Sequence, residues 1–231
     1  MLVVRDLCVS YPDRENAVDG LSFEMGQGES VALVGANGAG KTTLLFALAG
    51  ALEPSRGEIS LDGAPLGGKA ADAARRKIGL VFQNPDDQLF MPSIYEDVAF
   101  GPRNLGCTEG ETRELAEGAL SRLGISHLAQ RSPLRLSGGE KRLAAIAAVL
   151  AMRPDYILMD EPTAFLDPRA KRALAALLSG LPQGRLIATH DLAFAERNCS
   201  RVLLLKDGRL AADGGAGMLG DAPLLESAGL F

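Results

Sequence analysis

The sequence predicts an α/β fold, a mostly parallel sheet covered by helices on both faces and interrupted by a helical insertion. Three observations carry this. In the last third of the chain, short apolar runs alternate with helical segments, the pattern of a parallel sheet between two helical layers. Val31-Ala32-Leu33-Val34 is a continuous apolar run, typical of a strand buried on both faces. From Asn84 to about Leu136 the character changes to helix with proline-marked connections, which reads as an insertion into that alternation.

Taken in order, Leu7, Val9 and Tyr11 alternate with polar or small residues, as do Leu21, Phe23 and Met25. Both runs suit half-buried strands. Gly26-Gln27-Gly28 turns into the central apolar run, a glycine-rich loop follows, and a helix is expected over Thr43 to Ala49. Glu58 to Leu61 predicts a strand closed by Asp62-Gly63, and Ile78 to Phe82 predicts another. Inside the insertion, Thr108 and Glu111 have capping-box spacing and open a helix to about Leu123. Ile157-Leu158-Met159 is a strand, and the next helix has Asp167 as N-cap and Pro168 as its first residue. Leu186-Ile187-Ala188 gives a further strand before a helix beginning near Asp191. Val202 to Leu205, the turn Asp207-Gly208 and Arg209-Leu210 close as a hairpin.

The chain has 231 residues, enough to bury a core without disulfide or metal staples. It carries 24 basic and 29 acidic residues, a balance that argues against nucleic acid as the main partner. It leaves a nucleotide open, because a phosphate site is built from local backbone donors. Cys8, Cys107 and Cys199 form neither a disulfide framework nor a zinc spacing, so a reducing compartment is expected. In MLVVRDL a charge interrupts any secretory apolar stretch. The longest apolar run, Leu143 to Met152, is too short to cross about 30 Å of hydrocarbon. The expectation is a soluble chain whose membrane role comes through partners.

Gly35-Ala36-Asn37-Gly38-Ala39-Gly40-Lys41-Thr42 satisfies the phosphate-loop pattern between a predicted strand and a helix. Its glycines let consecutive N–H groups curl around an anion while the helix points its positive end at the same place. Lys41 can reach the β- and γ-phosphates, and the Thr42 hydroxyl can ligate Mg²⁺. Tyr156 to Asp160 reads as an apolar strand ending in a carboxylate, with Glu161 next. Alone, two acids at a strand end are unremarkable. Beside a phosphate loop, Asp160 can hold Mg²⁺ through water and Glu161 can polarise the attacking water. In Leu136-Ser137-Gly138-Gly139-Glu140, Ser137 and Glu140 are spaced as a capping box. The two glycines cost helix stability and leave bare N–H groups that favour an anion.

LSGGE resembles the signature loop of ATP-binding cassette (ABC) ATPases, and the other cassette elements stand in the right order. Tyr11 resembles the aromatic that stacks on adenine, Gln83 the Q-loop glutamine, and Asp160 with Glu161 the Walker B end. Ala164-Phe165-Leu166-Asp167 resembles the D-loop and His190 the switch histidine, while His127 matches no motif. The resemblance covers nearly the whole chain. It implies a P-loop NTPase core with a mostly parallel sheet, an N-terminal antiparallel β subdomain and an inserted α-helical subdomain. One ABC ATPase domain would then span 1–231, with core and β subdomain in 1–83 and 153–231. The helical subdomain, signature helix included, would occupy 84–152.

The resemblance also implies ATP and Mg²⁺ as cofactors. Nucleotide contacts would come from Tyr11, the loop from Gly35 to Thr43, Gln83, Ser137, Gly138, Gly139, Glu140, Asp167 and His190. Glu161, His190, Lys41 and Gln83 would serve catalysis, and Thr42, Gln83 and Asp160 would serve the metal.

Gln83-Asn84-Pro85-Asp86-Asp87-Gln88-Leu89-Phe90 resembles the Q-loop of energy-coupling-factor importers, prokaryotic transporters of cobalt, nickel and vitamins. Glu96 to Pro102 and Ala148 to Met152 fit the same group. Two positions depart from the pattern. Leu143 stands where the family usually has arginine, with Arg142 one place early, and Phe165 stands where a small residue is usual. The short tail after the hairpin favours metal uptake over vitamin uptake. The expected protein is an ATPase subunit of such an importer for cobalt or nickel, peripheral on the cytoplasmic face of the cell membrane.

A second copy, or a paralogous ATPase, would pair with it head to tail, each ATP lying between the phosphate loop of one and LSGGE of the other. The insertion would offer a groove to a cytoplasmic helix of an integral membrane subunit. The same role in a vitamin importer stays open. One short acidic cassette disfavours a non-transport ABC ATPase acting on nucleic acid or ribosomes. Glu161 and His190 together argue against a cassette that binds ATP without turnover.

Overall fold

The computed structural model describes residues 1–66 and 76–230, and it is built on two sheets. The first holds β1 (Leu2–Tyr11), β2 (Arg14–Met25), β4 (Arg56–Leu61) and β5 (Ala64–Pro65), antiparallel in the order β2-β1-β4-β5. The second holds β3 (Ser30–Gly35), β6 (Ile78–Val81), β7 (Tyr156–Asp160), β8 (Gly184–Ala188), β9 (Arg201–Lys206) and β10 (Arg209–Gly215). Its order is β10-β9-β3-β8-β7-β6, parallel except for the edge strand β10.

The unbroken apolar run of β3 has a direct cause. Val31 and Leu33 enter a core shared with the antiparallel sheet, while Ala32 and Val34 enter a second core on the opposite face. Helix α1 (Lys41–Leu48) belongs to the first core through Leu44, Leu45 and Leu48. Leu33, Leu44, Leu158 and Leu203 are fully buried there, each stabilising by about 1.5–3 kcal/mol relative to exposure. In the parallel ladder Asp160 of β7 stands opposite Ala188 of β8, so both strands end at the same level.

The second core holds the insertion, formed by α2 (Ile94–Asn104), α3 (Glu109–Arg122) and α4 (Gly138–Ala151). Thr108 and Glu111 make the expected capping box on α3, and Ser137 and Glu140 make one on α4. Buried Ala144, Ala145, Ala147 and Ala151 let α4 pack close to its neighbours. A Cβ on Gly79 of β6 would lie 2.3 Å from Val149 Cγ1, so the helix rests directly on the sheet edge. After the sheet, α5 (Pro168–Ser179) starts at the Asp167 cap and α6 (Leu192–Asn198) at the Asp191 cap.

Several boundaries differ from the sequence reading. Helix α1 starts at Lys41 rather than Thr43, so Lys41 and Thr42 sit in its first turn. Strand β6 ends at Val81, leaving Phe82 outside the ladder. The hairpin continues to Gly215, and a 3₁₀ turn and α7 (Ala222–Ser227) follow it. Strand β4 begins at Arg56. Among the described residues, no helix is long and apolar enough to cross a membrane.

Candidate functional site: a phosphate loop beside two carboxylates

The loop from β3 to α1 is held in a shape that side chains would forbid. Gly40 has φ 102, and a Cβ there would lie 2.4 Å from the Ala17 carbonyl oxygen. A Cβ on Gly35 would lie 2.5 Å from the Leu205 carbonyl oxygen. Lys41 is buried and its Nζ donates to the carbonyls of Gly35 at 2.7 Å and Ala36 at 3.1 Å. Burial lowers its pKa, with the Glu161 and Asp160 carboxylates working in the opposite direction.

The β7–β8 register brings the acids to this loop. Thr42 donates its hydroxyl proton to Asp160 Oδ2 at 2.7 Å. Burial raises the Asp160 pKa, opposed by the Thr42 hydrogen bond and aided by the nearby Glu161 charge. Glu161 follows with φ 44, a left-handed backbone fixed by its N–H donating to Ala188 O at 2.8 Å. Its Oε2 accepts from the Thr189 hydroxyl and the His190 N–H, each at 3.3 Å, and lies 2.9 Å from His190 Nδ1. Thr189 is fully buried, whereas the His190 side chain is 68% exposed. The carboxylate is thus held by a buried inner residue and borders an exposed outer one.

These groups surround one cavity of about 590 Å³. Gly35, Ala36, Asn37, Gly38, Gly40, Lys41, Thr42 and Thr43 line it with Gln83, Asp160, Glu161 and His190. Loop N–H groups and a buried lysine suit a polyphosphate. The Thr42 hydroxyl, the Asp160 carboxylate and the Gln83 amide are hard oxygen donors, a set that fits Mg²⁺.

Other sequence-predicted residues stand outside this lining. The Tyr11 hydroxyl is 3.3 Å from Thr43 Oγ1, and the Ala39 carbonyl accepts from Gly208 N–H at 3.1 Å. Asp167 caps α5, accepting from Ala170 N–H at 2.8 Å. Ser137, Gly138, Gly139 and Glu140 also lie outside it, with Ser137 and Gly138 exposed. Phe165 is 93% exposed with φ 62, a left-handed backbone uncommon for a residue with a side chain.

Around Gln83 the loop is fastened to α4. Asn84 caps a 3₁₀ turn over Pro85–Asp87, and Lys141 pairs with Asp86 at 2.5 Å. Leu89 is buried in the insertion core, while Phe90 is 64% exposed and stands edge-on to Phe100 at 5.2 Å. Of these two neighbouring apolar residues, Phe90 is the one exposed at the surface.

Sequence reasoning missed four contributors. Thr189 has a readable signal, a hydroxyl between a buried apolar strand and His190. Arg142 was visible only as a displaced arginine. Gly229 and Leu230 also line the cavity, and nothing local to them announces it.

The ABC transporter family profile matches residues 18–164. A Geobacter sulfurreducens protein named as an ABC transporter ATP-binding protein, with no stated solute, is 49% identical over 211 residues, 91% of this chain and 85% of that one. The cobalt import ATP-binding protein CbiO of Rhodobacter capsulatus is 44% identical over 236 residues, covering 100% of this chain and 84% of that one. The solved structure of CbiO1 from Clostridium perfringens, described as part of the transporter complex CbiONQ, superposes with a TM-score of 0.86 at 38% identity. It covers 97% of this chain and 92% of that one.

Proposed function

The chain belongs to the ABC transporter family as an ATP-hydrolysing subunit, and from that premise we propose that it powers an energy-coupling-factor type importer of cobalt or nickel. The observation that carries the chemistry is the meeting of Thr42–Asp160 with Glu161–His190 at one cavity. Likeness to the cobalt import protein over the whole chain, with the Gln83 to Phe90 stretch, supports the solute class.

Lys41 and the loop N–H groups bind and orient the ATP phosphates. Thr42, Asp160 and Gln83 would hold Mg²⁺, which when bound neutralises phosphate charge. Glu161 orients and accepts a proton from the attacking water, and His190 positions the γ-phosphate side. Positioning and charge stabilisation supply most of the acceleration. Tyr11, whose hydroxyl lies 3.3 Å from Thr43 Oγ1, would stack on the base.

Ser137 to Glu140 and Asp167 act across a head-to-tail pair with a second copy or a paralogous ATPase. Support comes from their position outside their own cavity, with Ser137 and Gly138 open to a facing molecule. The subunit sits at the cytoplasmic face of the membrane, its insertion docked to integral membrane subunits. Co-reconstitution with those subunits and uptake of Co²⁺ or Ni²⁺ against vitamins tests the assignment. Uptake of a vitamin alone overturns the metal reading.

Asp86 and Asp87 bear on coupling. Asp86 is exposed and pairs with a largely buried Lys141. Replacing both acids by alanine is expected to leave the isolated ATPase largely unchanged while weakening assembly with the membrane subunit, uptake, or both. Assays of one preparation with and without the partner check this. Full uptake excludes the coupling role, and lost ATPase in the isolated subunit places the acids in the nucleotide site.

A further inference from the structure

Arg142 is 2% exposed, on the helix whose first turn carries the signature glycines. Its Nη1 donates to the Phe82 carbonyl at 2.6 Å and its Nη2 to the Gln83 carbonyl at 2.5 Å. Its Nε has no hydrogen-bond partner. Burying a guanidinium incompletely paired is costly, and packing alone would be met better by an apolar side chain. Leu143, at the place of the usual family arginine, does that, packing half-buried against the insertion core.

The surroundings give the fork its use. Gln88 accepts from Phe82 N–H at 3.2 Å and donates to the Ala145 carbonyl of the same helix at 2.9 Å. The Phe82 peptide is therefore pinned on both sides, and the Gln83 carbonyl is pinned by Arg142. With this stretch of backbone so held, Gln83 lines the cavity. Arg142 lies five positions after Ser137, about 7.5 Å along the helix axis.

We infer that Arg142 is a positioning residue for ATP hydrolysis, clamping the backbone of Gln83 to the signature helix so that one rigid arm joins them. A molecule seated on the signature end then sets the place of Gln83 in the other nucleotide cavity of the pair. The inference rests on the role given to Gln83 above.

A double-mutant cycle on the full-length protein tests it, using Arg142→Met, Gln83→Ala and the pair, with ATP turnover and thermal unfolding measured on each. Arg142→Met is expected to lower kcat about 10- to 100-fold, the scale of a misplaced group, with KM for ATP nearly unchanged. In the Gln83→Ala background the same change should cost at most about twofold, because the two act as one unit. Arg142→Lys, which keeps the charge and reaches one carbonyl, should recover part of the rate.

Should Arg142→Met fail to fold, Arg142→Lys carries the same cycle. Multiplying losses, or a raised KM with kcat retained, overturn the inference while leaving Gln83 in its role. Wild-type turnover by Gln83→Ala removes that role, and the inference falls with it.

Discussion

Glu161→Gln is expected to keep ATP bound, lose roughly 10²–10⁴-fold in steady-state hydrolysis, and accumulate as an ATP-bound dimer. Glutamine has nearly the same shape, so its carbonyl oxygen can still accept from Thr189 and from the His190 N–H. The left-handed backbone and the Ala188 hydrogen bond do not involve the side chain, so the fold should persist. The lost property is basicity: an amide neither takes a proton from water nor orients it strongly. With hydrolysis blocked, a nucleotide held between two copies would not be consumed. Phosphate release and size-exclusion chromatography with Mg·ATP check both halves. Near wild-type hydrolysis would remove Glu161 from the catalytic role.

Ser137→Arg is expected to abolish turnover while leaving nucleotide binding to the monomer nearly intact. In its own subunit Ser137 is a cap, its hydroxyl accepting from Glu140 N–H and donating to the Glu140 carboxylate. Loss of that cap costs about 0.5–2 kcal/mol of stability, too little to unfold a domain of this size. Ser137 does not touch its own cavity, so a defect in turnover has to arise across the pair. A bulky cation at the helix start would stop the facing phosphate loop from closing. Ser137→Ala separates the effects, since it removes the cap without adding bulk. Equilibrium binding of a fluorescent ATP analogue alongside turnover decides the matter: binding that falls as steeply as hydrolysis would leave Ser137 a cap only.

What is legible in the sequence is what short-range chemistry dictates. The phosphate loop is eight consecutive residues, and both capping boxes are four-residue patterns, so each is complete within its own window. Misplaced boundaries fall where an outside contact overrides the local pattern. Phe82 extends the apolar run of β6, yet its carbonyl is taken by Arg142 instead of a strand. Lys41 and Thr42 lack apolar periodicity, so the hydrophobic pattern alone does not bring them into α1 after the left-handed Gly40. Gly214 and Gly215 lie past the hairpin the sequence predicts, but pairing with Val202 and Arg201 holds them in β10. Thr189 on Glu161 and Leu230 at the cavity are products of packing between distant segments, which a linear reading does not contain.

The matched ends of β7 and β8 make the site a measurement of chain length. With Asp160 opposite Ala188, Glu161 falls one step past one strand and His190 two steps past the other. Removing a single residue from Ile157–Met159 or from Leu186–Ala188 would shift one member by about 3.3 Å. The same removal would turn it to the opposite face of the sheet. Strands whose side chains touch no nucleotide therefore tolerate an exchange of one apolar residue for another but not the loss of one. A codon deletion in either strand would therefore displace one member of the site, although the residue lost carries no chemistry of its own.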